Sequence, residues 1–245
     1  MSGTIPTAEG PVEAPARLLV VVAHPDDIDF GTAGTMAALT AAGTHVAYCL
    51  ATSGDAGDDD LVHSSEELAA RREAEQTEAA RIVGVEELHW LHHPDGMVQP
   101  DLDLRRDIAR VIRTVRPDVV VSQSPEANWD RIYGTHPDHL ATARATMAAV
   151  YPDSRNPRAF PQLLDEGLEP HKVSEVWITH YEPNRYIDIT DTFELKLAAL
   201  RAHGSQTSRI DDLEGLLRDW GGRQAADAGL AAGRLAEGFR VVDTR

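Results

Sequence analysis

Cysteine is almost absent from this chain, and that scarcity limits both its chemistry and its location. Cys49 is the only cysteine among 245 residues, so no disulfide can form within the chain, and a reducing compartment is the simplest inference. Cys49 lies inside the apolar run 46–50, which predicts a small buried residue rather than a nucleophile. The chemistry of the protein therefore has to come from other side chains.

Positive charge and long apolar runs are also scarce. Lysine and arginine number 23 against 40 acidic residues, a net charge of −17, which argues against nucleic acid or an anionic membrane as a partner. No apolar run is long enough to cross a bilayer, and residues 1–15 lack the basic and apolar blocks of a secretion signal. The sequence therefore predicts no nucleic acid partner, no membrane span, a cytoplasmic location and a flexible segment over 1–16.

The chain does have a regular alternation of apolar runs and helical patterns. Strands are predicted at 17–23, 44–51, 87–91, 118–123 and 174–180, and helices near 30–42, 64–83, 102–115, 137–149 and 190–203. Such alternation is typical of a parallel sheet covered on both faces. We therefore predict an α/β fold, a Rossmann-like three-layer sandwich with a mostly parallel central sheet, as one domain over 17–245. A long loop with a short helix is expected over 151–172.

Two short motifs rich in histidine and aspartate follow predicted strands. The first is His24-Pro25-Asp26-Asp27, and the second is His136-Pro137-Asp138-His139. If the first four strands take the common order 3-2-1-4, strands 1 and 4 are neighbours and their carboxyl ends meet at one crevice. The sequence therefore predicts that the two motifs, more than a hundred residues apart, form one site there.

The spacing within the motifs fits a metal centre. Pro25 and Pro137 are each predicted in the first turn of a helix, where residues three apart share a face. His24, Asp27 and His139 would then give the two-histidine, one-carboxylate set that leaves one position of a catalytic zinc open for water. Asp26 and His136 remain for proton transfer. The alternative for one motif alone is a capped helix start, but two such motifs favour a site.

Other polar clusters give weaker signals. His92 and His93 either line the site or belong to a solvated loop, and the loop is favoured. The acidic stretch 55–60 lacks the spacing of an EF-hand calcium loop and is read as a mobile loop. Asn128, Trp129 and Arg131 precede the second motif and are candidates for shaping the substrate pocket, with a solvated loop as the alternative.

These residues carry a family resemblance. The chain resembles the PIG-L/LmbE-like deacetylases, which remove an N-acetyl group from N-acetylglucosamine-type substrates. The two paired motifs are the specific part of the likeness. Supporting segments run from about residue 17 to the C-terminus: Thr52 to Gly57, Arg72 to Glu75, Gly84-Val85, Pro94 to Gly96, Asp188 to Thr190, Ser205-Gln206 and Ala236 to Arg240. One departure is Ile28-Asp29 after the first motif, where relatives often have glutamate.

The resemblance implies a role for each motif residue. It implies zinc held by His24, Asp27 and His139, the set reached above from the residues. It also implies Asp26 as general base, His136 as the cationic or acid partner, and Asp138 as the residue that orients His136. Substrate contacts implied by the family follow in one list: Arg72 and Asp95 to sugar hydroxyls, and Tyr133 near the oxyanion, although Gly134 and Thr135 separate Tyr133 from the motif.

Several alternatives stay open at this point. Iron(II) suits a similar ligand set, so zinc is an expectation. The substrate is a small amino-sugar molecule in the first reading and a thiol conjugate, glycolipid or acylated natural product in the second. A non-catalytic metal-containing binding module is the third. A dinucleotide-binding domain is not favoured, because the turn after the first strand lacks a glycine-rich phosphate loop. The tail 225–238 could pack on the same chain or on a second copy in a homo-oligomer.

Overall fold

The computed structural model describes residues 3–58, 62–129, 132–179 and 182–245, without the side chain of Tyr133. The strands are β1 (Thr4–Ile5), β2 (Val12–Glu13), β3 (Arg17–Val22), β4 (His45–Leu50), β5 (Glu87–Trp90), β6 (Val119–Ser122), β7 (Glu175–Thr179), β8 (Arg185–Asp188) and β9 (Ala236–Asp243). The α-helices are α1 (Asp27–Ala41), α2 (Ser65–Ile82), α3 (Leu102–Val115), α4 (Pro137–Val150), α5 (Gln162–Asp165), α6 (Phe193–Ala202), α7 (Gly204–Thr207) and α8 (Leu213–Asp227). Short 3₁₀ helices lie at Ile132–Thr135, Asp153–Arg155 and Thr190–Thr192.

A seven-stranded mixed sheet forms the centre of the protein. Its order is β5-β4-β3-β6-β7-β9-β8, and the first five strands are parallel. The predicted 3-2-1-4 order of the first four sheet strands is confirmed, since these are β5, β4, β3 and β6. Strand β9 runs antiparallel between β7 and β8. The predicted α/β fold with a mostly parallel central sheet is thus confirmed.

Strands β3 and β6 carry the site because both are buried and adjacent. Their apolar β-branched residues pack on helices at both faces, as central parallel strands require. The register pairs Leu18 with Val119 and Val21 with Ser122, so the two strands end at nearly the same level. The loops that follow them therefore emerge side by side at the carboxyl edge of the sheet.

Helices cover both faces and complete the three layers. One core cluster joins the sheet to α1, α2, α6 and α8, with Met36 and Leu197 among its buried members. The other joins the opposite face to α3 and α4 through residues such as Ile108 and Ala145. Most helices and the predicted short helix in the 151–172 loop lie where the sequence places them.

The starts of α1 and α4 differ from each other. Pro137 is the first residue of α4 and His136 its N-cap, as predicted. The corresponding prediction for Pro25 is wrong, because α1 begins at Asp27 and Asp26 is its N-cap. Asp26 takes up a left-handed backbone conformation with φ 83° and ψ −28°, and this turn separates Pro25 from the helix.

The ends of the chain hold structure that the sequence did not predict. Strands β8 and β9 and helix α8 were not predicted, and the tail 225–238 packs on its own chain, where Ala225 and Ala236 are buried. Residues 4–13, expected as part of a flexible segment, form a two-stranded hairpin. This hairpin buries Ile5 completely and bridges from Thr7 to Ile187, which gives the short segment an apolar anchor. Among the described residues, no helix is long and apolar enough to span a membrane.

Candidate metal and catalytic site

The two motifs meet at the carboxyl edge of the sheet. His24 follows β3, Asp27 opens α1, and His139 lies in the first turn of α4. His24 Nδ1 is 3.2 Å from His139 Nε2 and 3.3 Å from Asp27 Oδ2. His139 Nε2 is 3.1 Å from Asp27 Oδ1. Three potential ligand groups therefore converge on one point.

The residues present fit a divalent transition metal. Ligands placed about 2.0–2.2 Å from a tetrahedral ion are roughly 3.3–3.5 Å from one another, close to the separations in this cluster. Two imidazoles and one carboxylate are a donor set that zinc and iron(II) both accept. A second grouping of His24, His136 and His139 also has ligand atoms within 4.8 Å of one another. We favour the set with Asp27, because its atoms are closer together.

The far side of the His24 ring is held by two further carboxylates. His24 Nε2 is 3.0 Å from Asp95 Oδ1 and 3.3 Å from Asp138 Oδ2. Burial lowers the pKa of His24, but the hydrogen bonds that its ring donates to Asp138, Asp27 and Asp95 outweigh burial and raise that pKa to about 12. The carboxylates thus strongly favour a positive charge at His24, and the same surroundings would favour a bound cation.

Asp138 has partners other than those the sequence suggested. Its buried carboxylate accepts main-chain N–H groups from Gly96 at 2.7 Å and Val98 at 3.2 Å, besides facing His24. Only the main-chain N–H of Asp138 reaches His136, donating to Nδ1 at 3.2 Å. The expectation that the Asp138 carboxylate orients His136 is therefore replaced by contacts that orient His24 and the 94–98 loop.

His136 and Asp26 flank the metal cluster from two sides. The ring of His136 meets that of His24 edge-on, with centroids 4.9 Å apart. Burial lowers the pKa of His136, and the neighbouring His24 and His139 lower it further. Burial raises the pKa of Asp26 to about 7, and the charge of Asp27 adds to the rise, while Arg72 opposes it from 3.4 Å.

Of the predicted substrate contacts, Arg72 and Asp95 lie at the site but bind other groups of the protein. Arg72 lies beside the site but is buried, and it donates to the carbonyl oxygens of Pro25 and Gly54 at 2.8 and 3.1 Å. Asp95 binds His24 and accepts the Ala56 N–H at 3.0 Å, so both residues have partners within the chain. Arg131 and the side chain of Tyr133 lie outside the described residues.

A cavity of about 600 Å³ opens beside the metal cluster. Asp27 and His139 form part of its wall, and so does Asn128, whose main chain is tied to Thr135 by two hydrogen bonds of 2.8 and 2.9 Å. Phe30 lies further along the wall. The cavity gives a small molecule access to the potential ligand groups.

The weaker histidine and acidic candidates do not join the site. His92 Nδ1 is 3.1 Å from Ser53 Oγ, and His93 Nε2 is 3.3 Å from Asp107 Oδ2, so these contacts of both histidines lie away from the cluster. Asp59 and Asp60 of the acidic stretch lie outside the described residues.

The sequence also missed buried polar residues next to the motifs. Asp29, Gln76 and His203 are fully buried and hydrogen-bonded to one another behind Asp26. The only sequence signal for Gln76 was its position on the buried face of the predicted helix, where a polar side chain needs a hydrogen-bond partner. Nothing in the local sequence linked His203 to residue 29.

Comparison with known proteins gives a consistent result. A PIG-L family model, described as GlcNAc-PI de-N-acetylase, matches residues 19–150, just over half of the chain. The chain is 36% identical over 229 residues to a diacetylchitobiose deacetylase of Thermococcus kodakarensis, covering 92% of this chain and 83% of the relative.

The chain belongs to the PIG-L family. The resemblance read from the two motifs is thereby confirmed.

Other PIG-L relatives extend the match. A 1D-myo-inositol 2-acetamido-2-deoxy-alpha-D-glucopyranoside deacetylase 2 of Saccharopolyspora erythraea is 33% identical over 242 residues, covering 79% of this chain and 84% of the relative. The solved N,N′-diacetylchitobiose deacetylase of Pyrococcus horikoshii, complexed with its inhibitor MPG, superposes with a TM-score of 0.85 at 33% identity. That match covers 94% of this chain and 84% of the solved chain. PIG-L deacetylases are metal-dependent, and His24, Asp95 and Asp138 form one group among the described residues that could hold a metal ion.

Proposed function

We propose that this PIG-L protein is a zinc-dependent hydrolase that removes an N-acetyl group from a small amino-sugar molecule. The observation that carries the proposal is the convergence of His24 Nδ1, His139 Nε2 and the Asp27 carboxylate within 3.1–3.3 Å. Asp26 and His136 lie beside this convergence and are not needed to complete it. A three-ligand set with proton-transfer groups next to it is typical of hydrolytic metal sites rather than structural ones.

His24, Asp27 and His139 would hold the metal. Bound there, zinc would lower the pKa of a water molecule toward neutrality and polarise the carbonyl of the scissile amide. Asp95 and Asp138 keep the His24 ring in place, since both face its other nitrogen. These contacts hold the ligand set in position before substrate arrives.

Asp26 is proposed as the general base. Its carboxylate is free of the helix-capping bond that an N-cap aspartate usually makes, and it is partly exposed beside Asp27. It would take a proton from water as the oxygen attacks the carbonyl carbon. The same proton is then available to the departing nitrogen, so the amide and one water become an amine and acetate.

His136 is proposed to stabilise the reacting oxygen. Its Nδ1 accepts the main-chain N–H of Asp138, so in the neutral ring the proton is on Nε2. That N–H can donate to the carbonyl oxygen as negative charge develops there. Positioned donors of this kind typically contribute about 10²–10³-fold to the rate.

The substrate class is proposed from relatives. The two curated relatives described above are named as deacetylases of diacetylchitobiose and of an inositol-linked 2-acetamido sugar. We therefore propose an N-acetylated amino sugar, with Arg72, Asp95, Asn128, Arg131 and Tyr133 as candidate contacts. A thiol conjugate or an acylated natural product is the alternative substrate, and iron(II) is the alternative metal. A cytoplasmic location stays a prediction.

An activity screen with metal analysis tests the proposal. The purified protein is incubated with N-acetylglucosamine, N,N′-diacetylchitobiose and an inositol glycoside of N-acetylglucosamine, and with N-acetylated thiol conjugates. Released amine and acetate are measured together, and metal content is determined on the same sample. We expect equal amounts of amine and acetate from at least one sugar and about one zinc per chain.

Two results would count against this function. The first is one bound metal per chain with acetate released from a thiol conjugate but from none of the sugars. That result would replace the amino sugar with a thiol conjugate as the substrate class. Full activity after metal is removed by a chelator would exclude a metal-dependent mechanism.

A further inference from the structure

A buried chain of hydrogen bonds runs from Asp26 to a distant part of the fold. The main-chain N–H of Asp26 donates to Gln76 Oε1 at 2.9 Å. Gln76 Nε2 donates to Asp29 Oδ2 at 2.8 Å. The same oxygen lies 2.8 Å from His203 Nε2, which comes from the junction of α6 and α7. Gln76, Asp29 and His203 are each fully buried.

The backbone of Asp26 needs such support. Its φ of 83° lies in the left-handed region, which costs free energy for a residue with a Cβ and persists only when surrounding groups fix it. Its carbonyl oxygen is fixed from the other side by the N–H groups of Asp29 and Phe30 at 2.9 and 3.0 Å. Gln76 is the partner that fixes the N–H.

The left-handed turn also explains why the Asp26 side chain is free to react. An aspartate at an N-cap ordinarily has an extended backbone and folds its carboxylate onto the first helical N–H groups. Asp26 makes no such capping bond. Relaxation of its backbone toward the ordinary capping conformation would turn the carboxylate onto the helix and away from a role as base.

The polarity of the chain is set from the His203 end. A glutamine amide can turn over, and with its nitrogen toward Asp26 it would offer no acceptor to the N–H. The Asp29 carboxylate prevents this. A carboxylate can only accept hydrogen bonds, so the group of Gln76 that faces it has to be the amide nitrogen. The ring of His203 fixes Asp29 in turn. In the described part of the chain, Asp29 Oδ1 has no hydrogen-bond partner, so both bonds depend on Oδ2.

We propose that Gln76, Asp29 and His203 are positioning residues that hold the proposed base Asp26 in its left-handed, uncapped conformation. The inference rests on the proposed function only for the role of Asp26 in turnover. The hydrogen-bond chain itself concerns the backbone of Asp26 and can be measured without substrate.

Paired substitutions separate this role from a merely structural one. Gln76→Met removes both amide bonds at similar volume, and His203→Leu removes the distant end of the chain. His203→Gln places an amide N–H near the former Nε2 and is the conservative variant. Ser205→Ala is the matched control: Ser205 lies in the same segment and bonds Glu75 on α2 through its N–H at 2.9 Å and its hydroxyl at 2.5 Å, but it has no link to Asp26.

The kinetic readout is the split between kcat and KM on the amino sugar that is turned over. We expect Gln76→Met and His203→Leu to lower kcat about 10–100-fold, as loss of outer partners commonly does, with KM unchanged. His203→Gln should recover most of the lost kcat, and Ser205→Ala should keep it. Metal content and melting temperature are measured for every variant.

The second readout is hydrogen exchange of the Asp26 amide, followed by NMR. We expect slow exchange in the wild type, Ser205→Ala and His203→Gln, and faster exchange in Gln76→Met and His203→Leu. If Gln76→Met does not fold, the two His203 variants still decide the matter. If the wild type deacetylates nothing, the proposed function fails, while the exchange data still test the chain. Wild-type kcat and slow Asp26 exchange in folded Gln76→Met or His203→Leu would overturn the inference.

Discussion

Single residues of the same type have different roles in this site because their partners differ. Asp27, Asp95 and Asp138 are carboxylates whose burial would raise their pKa, but histidine partners, together with main-chain N–H groups, hold each pKa below its usual range. Asp26 is the exception, because its burial and the adjacent charge of Asp27 dominate and raise its pKa. Environments that separate the pKa values of neighbouring carboxylates in this way are typical of sites where some carboxylates stay charged and another transfers protons.

The first residue-scale prediction concerns Asp26. Asp26→Asn keeps the shape of the side chain but cannot accept a proton, so we expect kcat to fall about 10²–10⁴-fold, the usual contribution of a general base. Metal content should not change, because Asp26 is outside the cluster of close donor contacts. Steady-state kinetics and metal analysis measure both quantities, with the exposed Asp219→Asn as control. Turnover near the wild-type value would assign the base elsewhere.

The second residue-scale prediction concerns His139. His139→Ala removes the group that contacts both His24 and Asp27, so we expect metal affinity to fall by more than the roughly 10–100-fold that loss of an outer partner causes. Metal content after dialysis against a weak chelator measures this. His45→Ala is the control, because His45 is an exposed histidine paired with Glu87. Equal metal content in both variants would contradict the proposed ligand set.

At the scale of elements, one serine caps the start of α2. Ser64 is the N-cap and forms a reciprocal capping box with Glu67, whereas Ser65 is the first residue of the helix. We expect Ser64→Ala to lower the free energy of unfolding by about 1 kcal/mol, and Ser65→Ala to leave it nearly unchanged. Urea unfolding measures both, and equal losses would mean that the cap contributes nothing specific.

Helix α3 organises the 151–172 loop through one buried side chain. Arg113 is 2% exposed. Its guanidinium donates at 3.0–3.3 Å to the carbonyl oxygens of Asp153, Ser154, Asn156, Ala159 and Leu168. The hydrogen bonds from Arg113 take the place of the regular backbone pairing that an irregular loop lacks.

We expect loss of Arg113 to destabilise the protein strongly. Arg113→Met would leave several buried carbonyls unpaired, and each such group costs about 1–3 kcal/mol, so a loss of roughly 3 kcal/mol in unfolding free energy is expected. The matched control is Arg110→Ala, which removes an exposed pair with Glu166 on the same helix and loop and should cost about 0–1 kcal/mol. Urea midpoints compare the two, and similar losses would refute the role of Arg113.

At the scale of the whole molecule, a buried ion pair joins the last strand to α6, and both partners also bind the main chain of the first helix. Glu237 on β9 accepts the N–H groups of Gly34 and Thr35 at 3.2 and 2.8 Å. Lys196 on α6 binds Glu237 at 2.6 Å and the carbonyl oxygen of Phe30 at 2.7 Å. Two segments from the second half of the chain are thereby fixed against α1, which carries Asp27.

We expect the loss of one partner of this ion pair to lower the free energy of unfolding more than the loss of both charges. Lys196→Met leaves the buried Glu237 charge uncompensated and should cost about 3–5 kcal/mol of unfolding free energy. The double variant Lys196→Met/Glu237→Gln should be more stable than Lys196→Met alone, because the isolated charge is gone. Denaturant unfolding of the three proteins checks the order. A double variant less stable than the single one would show that Glu237 acts through its N–H bonds instead.

Much of the central sheet could be predicted from the sequence because its signals are local. Continuous apolar runs mark β3 and β6, and the helices between them carry caps and a proline at readable positions. The predicted meeting of the two motifs had the same basis, since the first motif closely follows β3 and the second follows β6 after the loop 123–135. Strands β8 and β9 could not be read in this way, because antiparallel pairing at one end of the sheet depends on residues far apart in the chain. That residues 17–245 make one domain stays a prediction.

The sequence by itself determined the order of the parallel strands, the location of both motifs at one sheet edge, and the types of side chain available there. Only the tertiary structure decided what each of those side chains contacts. Asp138 faces His24 instead of holding the His136 ring, and hydrogen bonds through Gln76 and Asp29 link the main chain of Asp26 to His203. The physical reason is that burial and hydrogen-bond partners come from residues tens to more than a hundred positions away, and no local pattern encodes them.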